Sequence, residues 1–290
     1  MEVRLVQYVE DVSWGLVIPS HDVRPTATLG ATITPGQNTP GSWATVLAGG
    51  SLTDDAYMIE IVIHGGSTTA EARDSLTDIG VDPSGGTTPL DPPLIPSLLT
   101  SYSAYIGANA LQGGIRYRFR VKIKAGSTIM ARASVNNATV RTQLVGVHVY
   151  CRPSSPNVKS GSFVVAYGAN AANSCGTAVT AGTASVGAYT QLGSAIAGRP
   201  QWDWCAAAAP INSGTIASGQ TMHVDMAVGD ATTKKRVVYN QFGAGDTGER
   251  WGMFVTPTHH LGAIGDLIYA RVWSGTSTTA FSAIAYGTGG

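Results

Sequence analysis

The chain has 290 residues with 18 Lys and Arg against 18 Asp and Glu, so its formal net charge is zero; 43% of it is hydrophobic, 12% is charged and 36 residues are glycine. That length and apolar share can fill two cores and exclude a disordered, highly charged chain. Eleven basic residues face twelve acidic ones over 1–153, and seven face six over 154–290, so neither half has the basic surplus that nucleic acid demands, and no apolar run is long enough for a membrane helix.

In chain order, Met1 to Asp11 alternates apolar and polar residues and includes acids, which reads as a strand rather than an export signal. Period-two alternation, or a short apolar run bounded by turn residues, predicts strands over Tyr57 to His64, Ile115 to Lys124, Leu144 to Tyr150 and Phe163 to Tyr167. The longest stretch without Gly or Pro, Ser127 to Val145, is crowded with β-branched residues, so helix should be scarce. Many short strands predict an all-β chain of sandwiches. Cys151-Arg-Pro-Ser-Ser-Pro156 cannot continue a sheet, which divides the chain into residues 1–152 and 153–290.

Internal similarity points the same way. Gly30-Ala-Thr-Ile-Thr-Pro-Gly36 reappears as Gly176-Thr-Ala-Val-Thr-Ala-Gly182, and without a gap Gly41-Ser-Trp-Ala-Thr45 pairs with Gly187-Ala-Tyr-Thr-Gln191. Asp78-Ile-Gly-Val81 pairs with Asp225-Met-Ala-Val228, and Gly126-Ser-Thr-Ile-Met-Ala-Arg132 with Gly265-Asp-Leu-Ile-Tyr-Ala-Arg271. Four blocks in one order predict two tandem jelly-roll-like β-sandwich modules from an internal duplication, each closing its own two-sheet core, with repeated glycines where a side chain would clash. Loops differ: Asp82 to Pro93 is rich in Pro and Gly, where the second copy has Asp230 to Arg236.

The sharpest local pattern is Ile115-Arg-Tyr-Arg-Phe-Arg-Val-Lys-Ile-Lys124. Alternation sends one set of side chains inward and stands Arg116, Arg118, Arg120, Lys122 and Lys124 in a row, roughly 6.7 Å apart from twice the strand rise. Such a row repels itself unless acids on an adjacent strand, an acidic subunit or an anionic glycan lie near, although a solvated face that deters strand-to-strand aggregation is the plainer account. These five residues form the candidate interface or anion-contact site; in the second copy Arg250-Trp-Gly-Met-Phe-Val-Thr256 lacks the row.

Other constellations are weaker. His223 and Asp225 share a strand face and His259-His260 are adjacent, but a third metal ligand at a known spacing is missing, so neither metal nor cofactor is expected. No nucleophile elbow, P-loop, zinc-protease or dinucleotide fingerprint appears, and turn chemistry accounts for Asp54-Asp55 and for Asp78 with Asp82. Cys151, Cys175 and Cys205 lack metal or redox spacing and read as buried thiols of a protein made in a reducing cytoplasm. Of the tryptophans at 14, 43, 202, 204, 251 and 273, core packing suits most; Trp43 aligns with Tyr189, which argues for one structural role.

Gly30 to Gly36, Leu76-Thr-Asp-Ile-Gly-Val-Asp-Pro-Ser-Gly-Gly86, Leu94-Ile-Pro-Ser-Leu-Leu99 and Lys124-Ala-Gly-Ser-Thr-Ile-Met-Ala-Arg-Ala133 resemble a pattern in uncharacterised β-rich proteins encoded among the structural genes of tailed bacteriophages. Ser97 stands where Asn is usual there, and Ser127-Thr128 where Thr-Arg is usual; the resemblance spans much of residues 14 to 150. It implies a non-enzymatic virion component of the tail, its fibres or the head surface, synthesised in the host bacterial cytoplasm and present in many copies among other virion proteins. A glycan- or receptor-binding adhesion module on the virion surface is the alternative. Neither nucleic acid nor membrane is an expected partner.

Overall fold

The computed structural model describes residues 16–19, 30–65, 73–102, 115–136, 142–151, 160–170, 175–183, 186–194, 201–210, 221–243, 256–259, 266–274 and 280–290. Among these the helical content is one 3-10 turn, Gly49–Ser51. The first ten strands are β1 (Leu16–Pro19), β2 (Ala31–Ile33), β3 (Gly36–Gln37), β4 (Ala44–Leu47), β5 (Ala56–Gly65), β6 (Arg73–Asp82), β7 (Ile95–Tyr102), β8 (Ile115–Phe119), β9 (Thr128–Val135) and β10 (Gln143–Cys151). Nine follow: β11 (Phe163–Tyr167), β12 (Thr177–Gly182), β13 (Thr190–Ser194), β14 (Gln201–Pro210), β15 (Thr221–Gly229), β16 (Lys234–Gly243), β17 (Thr256–His259), β18 (Leu267–Ser274) and β19 (Ala280–Gly289). Residues 1–15 and 152–159, which hold the expected first strand and the Pro/Ser boundary segment, lie outside the described residues.

In the first half, the sheet β1-β10-β5-β8 faces the sheet β4-β9-β6-β7, with β2 attached to β10 and β3 to β9. This interleaving of chain-distant strands across two sheets is the jelly-roll arrangement. The second half has the same order, β11-β19-β14-β17 against β13-β18-β15-β16. The correspondence extends to register. Ala44 faces Ala131 as Thr190 faces Ala270, and both pairings slip at the next step, between Thr45 and Leu47 and between Gln191 and Gly193. Asp78 faces Arg132 as Asp225 faces Arg271. Gly36 runs parallel to Ser134 as Gly182 does to Trp273. β2 and β3 are separated at Thr34-Pro35, where proline has no amide proton to give a ladder; with Ala181 at the matched position, β12 runs through and joins both layers of the second roll.

Glycines at the repeated corner have one purpose. A Cβ on Gly41 would run into the Thr34 carbonyl, and one on Gly187 would lie 2.7 Å from the Val272 carbonyl and 3.2 Å from that of Thr180, so only a residue without a side chain fits the crossing.

Alternation builds the cores. On β5, Ile59, Ile61 and Ile63 are fully buried while Glu60 and Val62 turn to the opposite face. On β14 the two faces are both buried: Trp204, Ala206 and Ala208 fill the second roll's interior, whereas Cys205 and Ala207 join the first roll's core. β19 does the same, with Phe281, Ala283 and Ala285 inward and Ile284 and Tyr286 on the back. The expectation of two self-contained cores is therefore corrected. The apolar back of the β11-β19-β14 sheet caps the open end of the first roll, so the first core runs on into the second half.

Hydrogen bonds fix this seam. The Tyr286 hydroxyl donates to the Ser97 carbonyl at 2.8 Å and accepts from the Leu99 amide at 2.8 Å, while the Tyr117 hydroxyl donates to the Leu99 carbonyl. Ser97 has a positive φ of 56°, and the left-handed kink it makes in β7 directs these backbone groups toward the second roll. The Val164 amide donates to the Leu94 carbonyl, and Gly161 exchanges bonds with the Arg120 carbonyl and the Lys122 amide. The rings of Tyr117 and Phe119 meet Tyr286 edge-on at 5.6 and 5.9 Å.

Candidate functional site

The strand expected over Ile115 to Lys124 is regular only to Phe119, so β8 carries Arg116 and Arg118, and the segment beyond it carries Arg120, Lys122 and Lys124. Tyr117 and Phe119 are buried, and beyond the regular strand Val121 and Ile123 continue inward, held by isolated bridges to Gly161 and Ala56. Arg116, Arg118, Lys122 and Lys124 are exposed and Arg120 is half-buried.

Two acids answer the row. Glu60 faces Arg118 across the β5–β8 pair, and its carboxylate accepts from Arg118 at 2.8 Å, with Arg116 at 3.6 Å and His148 Nδ1 at 3.5 Å. Burial, the largest single influence, works against the charged form of Glu60, but Arg118 together with His148 and Arg116 outweighs it and the carboxyl is held below its ordinary value. Burial and the Glu60 charge push the neighbouring Tyr150 phenol up. Asp55 accepts from the Ala125 amide at 2.8 Å and pairs with Lys122 at 3.1 Å; the amide bond first, then Lys122, lowers its carboxyl, and in return Asp55 raises the Lys122 ammonium. The row is therefore a braced, partly compensated surface in which Arg116 and Arg118 meet Glu60 and Lys122 meets Asp55. The strand that pairs with β14 as β8 pairs with β5 is β17, where Trp204 faces Thr258 as Ile59 faces Phe119; that makes Pro257 the counterpart of Arg118 and leaves residues 250–255, aligned to the row by sequence, outside the described residues.

A second arrangement recurs in both rolls. Arg132 donates to Asp78 at 2.9 Å with its guanidinium carbon 4.4 Å from the Trp43 ring centre, and Arg271 donates to Asp225 at 2.8 and 2.6 Å with its own 4.3 Å from Tyr189. A guanidinium between a carboxylate and an aromatic face gains from both. Asp78 also accepts the Ser97 amide at 2.8 Å, which links this brace to the seam. All six residues sit in the repeated sequence blocks, and their shared spacing was the signal available in advance.

The remaining candidates fall elsewhere. His223 stacks on Trp273 at 4.5 Å, the side chain of His259 and all of His260 lie outside the described residues, and among the described residues no group of three His, Cys, Asp or Glu could hold a metal. Asp82 accepts from the Ser84 and Thr88 amides, both at 2.9 Å, as turn chemistry predicts, whereas Asp78 is an ion-pair member. The three cysteines are free and buried, and burial pushes the Cys175 and Cys205 thiols up. Trp204 is core, while Trp14, Trp251 and the side chain of Trp202 are outside the described residues. Among the described residues no helix is long and apolar enough to cross a membrane.

The fold and this surface define an all-β chain of two jelly rolls. No protein-family model and no curated protein matches it. Among solved structures it is similar to PNGase F, a glycosylasparaginase from Flavobacterium meningosepticum, with a TM-score of 0.41 and 10% identity over 94% of this chain and 95% of that one. It is also similar to PNGF-II, at 0.40 and 10% over 94% of this chain, which spans 65% of PNGF-II. A chain of Broad Bean Stain Virus gives 0.38 and 10% over 100% of this chain and 94% of that one. With an enzyme and a virus together, and every TM-score below 0.5, these likenesses carry no argument about activity or partners.

Proposed function

We propose that this chain is a non-enzymatic structural protein of a bacteriophage virion, tail- or fibre-associated or decorating the capsid, that acts through contacts between subunits. The observation that carries this reading is the seam. Two jelly rolls joined where the first core runs on into the second half, and by the Tyr286 hydrogen bonds, make a two-module block. A multi-copy assembly with other virion proteins can use such a block as a connector. The resemblance of the Leu76 to Gly86 and Lys124 to Ala133 segments to phage virion proteins supports the same reading, as does the register match between the rolls, from which we infer a duplication dividing the chain at 152–153. Mass spectrometry of purified particles, after separation of tails from heads, tests it. The chain is expected in one of the two fractions, and absence from both refutes the reading.

A second reading, a glycan- or receptor-binding module on the virion surface, is favoured by the five cations of β8 and the segment that follows it, Arg116 to Lys124. Binding on a glycan array that is lost in the Arg118→Glu/Arg120→Glu chain would establish it, and unchanged binding would remove the row from that role.

A further inference from the structure

The two rolls use one sheet face differently. In the second roll, the back of β11-β19-β14 is an interface: Val164, Cys205, Ala207, Ile284 and Tyr286 are buried against the first roll. In the first roll, register puts Glu60 where Cys205 stands, Val62 where Ala207 stands, Gly146 where Ile284 stands and His148 where Tyr286 stands. Among the described residues, no second-roll strand is paired or packed onto this face of the first roll. The face is bordered by β8, whose Arg116 and Arg118 side chains are 70% and 44% exposed, and then by Lys122 at 53%.

We infer that the outward face of the β1-β10-β5-β8 sheet is a docking surface for an acidic protein surface on a neighbouring subunit of the particle. The inference deepens the virion reading and rests on it. Three observations carry it. The same face of the sibling roll already buries a protein surface, so this fold supports such a contact without rearrangement. Among the described residues the charge here is one-sided: Arg116, Arg118, Arg120, Lys122 and Lys124 outnumber Asp54, Asp55 and Glu60. Glu60 also lies beneath Arg116 and Arg118 and orients these two guanidinium groups along the exposed side of the sheet.

A protein rather than a polysaccharide occupant fits the composition. Half-buried Val62, His148 and Tyr150 lie beside Arg116 and Arg118, and a mixture of aliphatic, Tyr and Arg side chains is what protein interfaces favour. Charge here would also steer the encounter and select against basic neighbours.

Carbodiimide cross-linking and lysine acetylation of intact particles and of the isolated full-length chain, each read by peptide mass spectrometry, test this. Within the isolated chain, Lys122 cross-linked to Asp55 serves as the internal standard. Expected in particles is several-fold slower acetylation of Lys122 and Lys124, together with cross-links from them to Asp or Glu of a neighbouring protein. Lysines as reactive in particles as in the isolated chain overturn the docking surface while leaving the virion reading intact. Protection without any cross-link to a carboxylate overturns the acidic partner. Open lysines with retention on a heparin column, lost in the Arg116→Gln/Arg118→Gln chain, overturn it in favour of a polyanion. A chain absent from particles removes the virion reading and the docking surface with it.

Discussion

A Cβ built on Gly80 would lie 2.8 Å from Cη2 of Trp43, so the indole rests directly on the backbone of β6. In the second roll the smaller ring of Tyr189 occupies the place of Trp43, and the fully buried Ala227 that of Gly80. Ring and strand residue are thus matched in size in each roll, with an arginine closing the stack from above. Gly80→Ala is expected to lower stability by about 1–3 kcal/mol through overpacking. Trp43→Tyr in the same chain should recover part of that loss; the rest persists because the new methyl also meets Pro89 Cβ at 2.7 Å. Urea unfolding of the two single variants and the double variant measures the coupling, and strictly additive losses would contradict the size match.

Tyr286 sets a second test. Phe at this position keeps the ring contacts with Tyr117 and Phe119 but leaves the Leu99 amide and the Ser97 carbonyl without their partner inside the seam, at a cost of about 1–3 kcal/mol. Burial holds the phenol well above its ordinary value of 10.0, so the folded chain keeps it neutral where an unfolded chain would ionise it. The associated stability is intact below pH 10 and is lost as pH rises above it. Urea midpoints from pH 8 to pH 11 should fall more steeply for the natural chain than for Tyr286→Phe.

Much of this architecture was legible because local signals agreed with the tertiary answer. β5, β10 and β11 fall where alternation and apolar runs put them, and the repeated blocks around Gly30, Gly41, Asp78 and Gly126 land in matching registers. What could not be read was how the rolls meet. Cys205, Ala207 and Ile284 alternate with core residues of their own roll, so one strand looks merely apolar on both faces, and nothing in its spacing says which face belongs to another sheet. The site was half legible. Alternation placed Arg116 to Lys124 on one face, but naming Glu60 and Asp55 as their counter-ions needs the β5–β8 pairing, which depends on contacts between residues 58 apart in sequence.

Glu60 makes the brace sensitive to acid. Its carboxyl titrates below the ordinary value of 4.5, so the stabilisation it gives is present above that value and is lost as pH falls through the lower folded one. Glu60→Gln should therefore unfold at lower urea than the natural chain at pH 7, with the two midpoints converging towards pH 3. A gap that stays constant with pH would show that Glu60 acts through packing rather than through charge.

The cysteines can report whether the two rolls ever part. Cys205 lies on the face of β14 that packs on the first roll, Cys175 joins the same core, and Cys151, at the end of β10, is a first-roll member of it. Reaction with a thiol reagent needs exposure and a thiolate, and burial denies both to Cys175 and Cys205. If the shared core opens only when the chain unfolds, all three thiols should stay unlabelled by an aromatic disulfide reagent in native buffer and become labelled together across the urea transition. Should the rolls separate as intact bodies, Cys205 would react ahead of Cys151 at urea concentrations where the sheet signal in circular dichroism is unchanged. Tyr286→Phe sharpens the distinction, because it removes hydrogen bonds from the seam alone. Cooperative labelling in that variant, shifted to lower urea but still simultaneous at the three sites, is the outcome expected if the core holding all three cysteines unfolds as one unit, and early labelling of Cys205 would show that the seam is a separable joint.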